Sequence, residues 1–154
     1  MSDEVQVTVT GDKSLNTIQE IGEAVENLGF DVGLENEVLT VAMNVEDQAF
    51  PVIMEIEHGK LVVRNQFCLL GDIAEDDLPS AAMTALLMNA EIHPYAFCVV
   101  DAGGDGVDPT DPVILIDSIP VGDLSEGEVE KSLDSLRQAL TLAINAIPRT
   151  AVAS

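Results

Sequence analysis

Residues 101–111 read Asp101-Ala102-Gly103-Gly104-Asp105-Gly106-Val107-Asp108-Pro109-Thr110-Asp111, four carboxylates set among three glycines. Hard cations such as calcium take carboxylate and carbonyl oxygens, and Asp101, Asp105 and Asp108 could supply them, with Gly106 at a sharp turn. The pattern is incomplete. A helix-flanked calcium loop needs an oxygen donor at its third position and a bidentate glutamate at its twelfth. Gly103 and Pro112 stand there, and both flanks read as strands. The expectation is an acidic hairpin loop in which Asp and Gly form turns. Asp101, Asp105 and Asp108 remain the metal candidates of an alternative reading, a small-ligand or calcium-sensing module. A phosphate loop is excluded, because it needs a following helix and no competing anions. The soft ligands are His58, Cys68, His93 and Cys98. None is spaced as a zinc site requires, so a turn residue, a loop residue and two small thiols are expected. No serine lies in a GxSxG elbow, and no cysteine has a clear histidine partner. The run Glu75-Asp76-Asp77 could pair carboxylates for acid–base work, but carboxylates are too numerous here to be specific, and its readier role is to favour the start of the second helix through the backbone dipole. No cofactor, no metal and no catalytic residue is therefore expected, and the chain reads as a non-enzyme.

The charge balance points to partners instead. The chain has 154 residues, 28 Asp+Glu against 6 Lys+Arg, and a formal net charge of −22. Since 47% of its residues are apolar, it has the means to build a core and is not an acidic disordered tail. A field of that sign repels nucleic acid and anionic membrane and attracts basic segments. Aromatic content is 3% with no Trp, which removes the stacking platform of a single-strand nucleic-acid binder. Salt adaptation is the competing explanation of the acid excess, and it stands beside a basic client. The opening Met-Ser-Asp-Glu has no basic, then apolar, signal pattern, and no apolar run reaches membrane-spanning length. Two cysteines are too few for a disulfide framework. A single cytoplasmic domain spanning 1–154, without membrane insertion, is expected, with 149–154 as a frayed tail.

Hydrophobic spacing places the elements. Val5, Val7 and Val9 alternate with polar residues, as in a short strand or arm. Ser14 then reads as an N-cap for a first helix over 15–28, its apolar face Leu15, Ile18, Ile21, Val25 and Leu28, closed by Gly29. Residues 32–34, 38–44, 50–57 and 61–70 form a three- or four-stranded antiparallel meander, with His58-Gly59 as a tight hairpin turn. A second helix begins near Glu75 to Pro79 and runs to about Ala90. Tyr95 to Asp101 and Pro112 to Val121 follow as strands. The third helix opens on a capping box, Ser125 with Glu128, and carries a stripe of Val129, Leu133, Leu136, Leu140, Ala143, Ile144 and Ile147 until Pro148.

The second helix is the most informative element. Ala81-Ala82-Met83-Thr84-Ala85-Leu86-Leu87-Met88 is apolar nearly all round. One face must meet the core; the other needs a cover. Ala82, Met83, Leu86, Leu87 and Met88 are therefore expected at a partner or dimer interface, methionine giving an adaptable surface.

The stretch Leu86-Leu87-Met88-Asn89-Ala90, then Pro94-Tyr95-Ala96-Phe97, Pro112-Val113-Ile114-Leu115-Ile116, and Leu124-Ser125 with Glu128 before a leucine-striped helix carry a resemblance. In this order the chain resembles the type III secretion chaperone-like fold, and within it the YbjN-like and YjfI-like families of small bacterial proteins. The resemblance implies an α+β fold, an antiparallel sheet with three helices, in a cytoplasmic, non-enzymatic, usually dimeric adaptor or chaperone-like protein. Taken with the charge, the expected function is a protein-binding, chaperone-like regulator whose acidic surface receives a basic client segment.

Overall fold

The computed structural model describes residues 14–101 and 103–150. The expected Val5–Val9 arm lies outside these. The first helix, α1, spans Ile18–Asn27 and is shorter than expected. Its N-cap is Thr17, not Ser14. Thr17 Oγ1 accepts from the Glu20 N–H at 3.1 Å, and Glu20 Oε1 accepts from the N–H groups of Asn16 and Thr17 at 2.8 and 3.1 Å. This reciprocal box satisfies donors that a helix start leaves open. Ser14 is drawn into a bridge with Ser125 instead, and the Leu15 N–H donates to the Leu124 carbonyl at 2.8 Å. The helix ends as the sequence implies. Gly29 has φ +101°, and the Phe30 N–H reaches back to the Val25 carbonyl at 3.4 Å. A side chain at that φ would be strained, which is why glycine closes the helix.

Four strands follow as a meander: β1 Val32–Glu35, β2 Val38–Val45, β3 Gln48–Glu57 and β4 Lys60–Leu69. Every connection is a two-residue turn with both residues at positive φ: Asn36-Glu37, Glu46-Asp47 and His58-Gly59. Such turns match the twist of paired strands. After a 3-10 turn at Glu75–Asp77 comes α2, Leu78–Met88, with Pro79 in its first turn. β5 is Ala96–Val99, β6 is Pro112–Pro120, and α3 is Glu126–Ala146, capped by Ser125 and Glu128 as expected. The strands form one antiparallel sheet in the order β1-β2-β3-β4-β6-β5, so β6 lies against β4 and leaves β5 at the edge.

Alternation along the strands puts Leu39, Val41, Met43, Val52, Met54, Leu61, Val63 and Leu115 in the core, where Ile21 and Val25 of α1 and Leu133, Leu136 and Leu140 of α3 also lie. One buried polar group interrupts this layer. Asn65 is fully buried, and its Nδ2 donates to the Pro51 carbonyl at 3.0 Å, while its Oδ1 has no partner. Pro51 occupies an interior strand, where it has no N–H to give to the ladder, and the Asn65 side chain satisfies its carbonyl. Asn65→Ala loses that bond and opens a void. It is expected to cost about 1–3 kcal/mol, read as a lower urea midpoint at unchanged slope.

Candidate functional site

Helix α2 turns Leu78, Ala81, Ala85 and Met88 toward the core, a spacing of three and four residues along one face. The opposite face carries Ala82, Met83, Leu86 and Leu87. Met83 is 58% exposed, Leu86 65% and Leu87 67%. Met88, expected on the outer face, is only 7% exposed and packs in the core. The uncovered face is therefore made by the other four residues. Removing one large side chain of this kind from water is worth roughly 1.5–3 kcal/mol, so three together form a strong incentive for a partner.

An apolar groove of about 300 Å³ lies between this helix and the edge strand, lined by Leu78, Ala82 and Leu86 on one side and Phe97, Val99 and Val113 on the other. Its strand wall is an open sheet edge. The Val100 N–H donates to the Pro112 carbonyl, so by antiparallel alternation Phe97 presents its backbone away from β6. Asn89, just past α2, covers that edge, its Oδ1 accepting from the Phe97 N–H at 2.8 Å. An uncovered edge invites another strand, and this side chain blunts it. Sequence reasoning passed over Asn89; its place directly after an apolar helix was the available signal.

Next to the groove lies a shallower depression of about 450 Å³, which shares Leu70, Ile73 and Leu78 with it and adds Glu75 and Asp108. The 101–111 loop reaches this point because Gly71 lets it pass. The Gly71 N–H donates to the Pro109 carbonyl at 2.8 Å, and a Cβ on Gly71 would lie 3.0 Å from that oxygen. Apolar groove and acidic shoulder are thus adjacent.

The loop's carboxylates are engaged by the loop itself. Asp101 accepts from the N–H groups of Gly104 and Gly106, each at 2.9 Å, and Asp111 accepts from the Asp108 N–H at 2.9 Å. Asp108 accepts from the hydroxyl and N–H of Thr110, which hold its carboxyl below the usual range. These are side-chain turns onto neighbouring backbone. Asp105 is exposed. Glu75, Asp76 and Asp77 occupy the 3-10 turn before α2, and Asp77 makes no side-chain cap bond. His58 sits in its hairpin turn, His93 before a cis Pro94, Cys98 is exposed and Cys68 is buried. Burial pushes the Cys68 thiol up to about 11, with Arg149 acting in the opposite sense, so it is held neutral and unreactive. Among the described residues no three of His, Cys, Asp and Glu converge on one point. Calorimetry is expected to detect no micromolar calcium or zinc site; a stoichiometric site for calcium would promote Asp101, Asp105 and Asp108 to ligands.

Two polar constellations were not foreseen. The Tyr95 hydroxyl, almost fully buried, meets Ser132 Oγ at 2.8 Å, and Ser132 Oγ lies 3.4 Å from Asp117 Oδ2. Burial raises both the Tyr95 hydroxyl and the Asp117 carboxyl, and the chain of bonds ties α3 to β6. Arg64 on β4 spans Glu55 and Glu57 of β3, each at 3.1 Å. Neither constellation brings a nucleophile, a base and an anion hole together.

No family model matches the chain, and no curated protein matches it. Solved structures do. YbjN from E. coli superposes with a TM-score of 0.59 at 10% identity, over 83% of this chain and 91% of that one. The heterodimeric ExoU–SpcU complex of the Pseudomonas aeruginosa type III secretion system matches with a TM-score of 0.58 at 15% identity, over 82% and 97% of the two chains. The Yersinia pestis type III secretion chaperone SycH, in complex with a fragment of YscM2, matches with a TM-score of 0.51 at 15% identity, over 84% and 99%. The fold is the α+β, type III secretion chaperone-like fold that YbjN shares. No described helix is long and apolar enough to cross a membrane.

Proposed function

We propose that this chain is a non-catalytic, cytoplasmic adaptor or chaperone-like regulator that binds a protein client. In this reading it is a homodimer through the outer face of α2, and its acidic surface receives a basic segment of the client. The observation that carries the reading is the uncovered apolar face of α2 beside a groove with an acidic shoulder. An amphipathic segment with basic and aliphatic residues fits the groove and its acidic shoulder, beside the α2 face that the dimer covers. Apolar contact supplies affinity, and charge supplies steering and selectivity. The likeness to structures solved as protein–protein complexes supports the same reading. The alternative, a calcium- or small-ligand sensor built on 101–111, draws less support, because Asp101 and Asp108 already accept bonds within the loop.

The test is affinity capture from a native lysate with the immobilised chain, repeated with Val99→Glu, on the strand wall of the groove and off the α2 dimer face. The expected result is one predominant protein with a basic segment, retained by the native chain and lost at least tenfold with the variant. Equal recovery by both would separate client binding from this surface.

A further inference from the structure

The residues that follow α3 are fastened down from the first. Ile147 is extended and buried and forms part of the groove wall, while Pro148 faces outward. Arg149 turns inward again. Its guanidinium lies 4.3 Å from the centre of the Phe67 ring, and its Nη2 donates to Gln48 Oε1 at 3.1 Å. The Thr150 N–H and hydroxyl both donate to the Asp72 carbonyl, at 2.6 and 3.1 Å. Of the tail expected over 149–154, Arg149 and Thr150 make these contacts, and 151–154 lie outside the described residues.

Arg149, like Arg137 over Phe30, lies on an aromatic ring. Lys and Arg number 6 against 28 Asp+Glu, yet among the described residues no carboxylate lies within ion-pair distance of Arg149. The cation rests on an aromatic face and a neutral amide, both weak and exchangeable partners at a partly exposed site. Acidic residues adjoin its partners in the chain. Glu46 and Asp47 form the turn before Gln48, and Asp72 supplies the carbonyl. Phe67 itself continues through Phe97 into the groove wall beside α2. The receiving surface thus has a ring for a cation, an amide oxygen and a carbonyl for an extended backbone, and it adjoins the apolar groove.

We propose that the Phe67 face, Gln48 and the Asp72 carbonyl form a receptor for an arginine-bearing extended segment of the client, and that Arg149 and Thr150 occupy it as an internal stand-in. The proposal rests on the client-binding reading above and deepens it. A client segment with an aliphatic residue two positions before its arginine would reproduce the inward alternation of Ile147 and Arg149 and would compete for the same contacts.

The probe is a fluorescein-labelled pentapeptide of sequence Ala-Ile-Pro-Arg-Thr, titrated by anisotropy into the full chain at constant salt. Arg149→Ala empties the ring and should tighten binding of the peptide by roughly tenfold over the native chain, the size expected of freeing one cation–aromatic contact. Thr150→Pro removes the N–H given to Asp72 and should tighten it as well, through a change that leaves Phe67 and the core untouched. A peptide with glutamine in place of arginine should bind neither variant. Equal affinity for the native chain and both variants, or equal binding of the glutamine peptide, overturns the proposal. If no variant binds the pentapeptide while Val99-dependent client capture persists, the receptor is wrong and the client reading stands. If capture fails too, the client reading falls with it.

Discussion

Leu87→Glu is expected to convert a homodimer into a folded monomer. Leu87 is 67% exposed on α2, so the change costs the isolated protomer little. In a symmetric interface the same substitution enters twice, since a two-fold contact uses one patch on both copies. Each uncompensated charge buried against an apolar surface costs about 3–5 kcal/mol. Two of them weaken association on the order of ten-thousandfold or more. Met83→Glu should act in the same direction, because Met83 lies on the same face at 58% exposure. Met88→Glu is the internal control. Met88 is 7% exposed and packs in the core, so its charge should unfold the protomer rather than split the dimer. Light scattering with circular dichroism separates the outcomes. The native chain should show twice the protomer mass, the first two variants one protomer mass with retained structure, and the third lost structure. A protomer mass for the native chain would contradict dimerisation through α2.

The melting temperature should rise steeply with sodium chloride. A formal net charge of −22 on a 154-residue chain repels itself in the compact state more than in the unfolded one. Few of these charges are balanced locally. The ion pairs among the described residues join Arg64 to Glu55 and Glu57, and Arg137 to Asp134. Screening contracts from about 30 Å at 0.01 M salt to about 3 Å at 1 M, so distant carboxylates stop interacting. Relief of a few kcal/mol raises the melting point by roughly 10 °C in a chain of this size. Chloride is the appropriate anion, since sulfate strengthens burial by exclusion and would blur the cause. A flat or falling melting point would mean that the acidic surface carries no unrelieved repulsion. It would then suit neither salt adaptation nor a waiting basic client.

Legibility followed the strength of local signals. The capping box at Ser125 and Glu128, the Gly29 stop and the His58-Gly59 turn are each set by a few neighbouring residues, and each stands where expected. The helix expected from Ser14 is capped three residues later, by Thr17. The deciding contact, Leu15 to Leu124, is distant in sequence. The Glu46-Asp47 turn carries no glycine or asparagine, so its positive φ pair gave no warning. Composition alone announced that α2 would be too apolar for one core face, but not that Met88 would point inward. That depends on the phase of the helix set by Leu78 and Ala81. The Arg149 contact was invisible for the same reason as the Tyr95–Ser132 bond: both join residues far apart in the chain, and no periodicity encodes them.

The most direct test of the central claim is a calorimetric titration of the captured client's basic segment into the native chain at 0.05 and 0.3 M sodium chloride. The account predicts one segment per protomer, with affinity falling at least tenfold between the two salts as the acidic surface is screened, and with a negative heat-capacity change from the buried apolar groove. Binding that ignores salt, or no saturable heat at either concentration, would contradict a client site built from an apolar groove and an acidic surface.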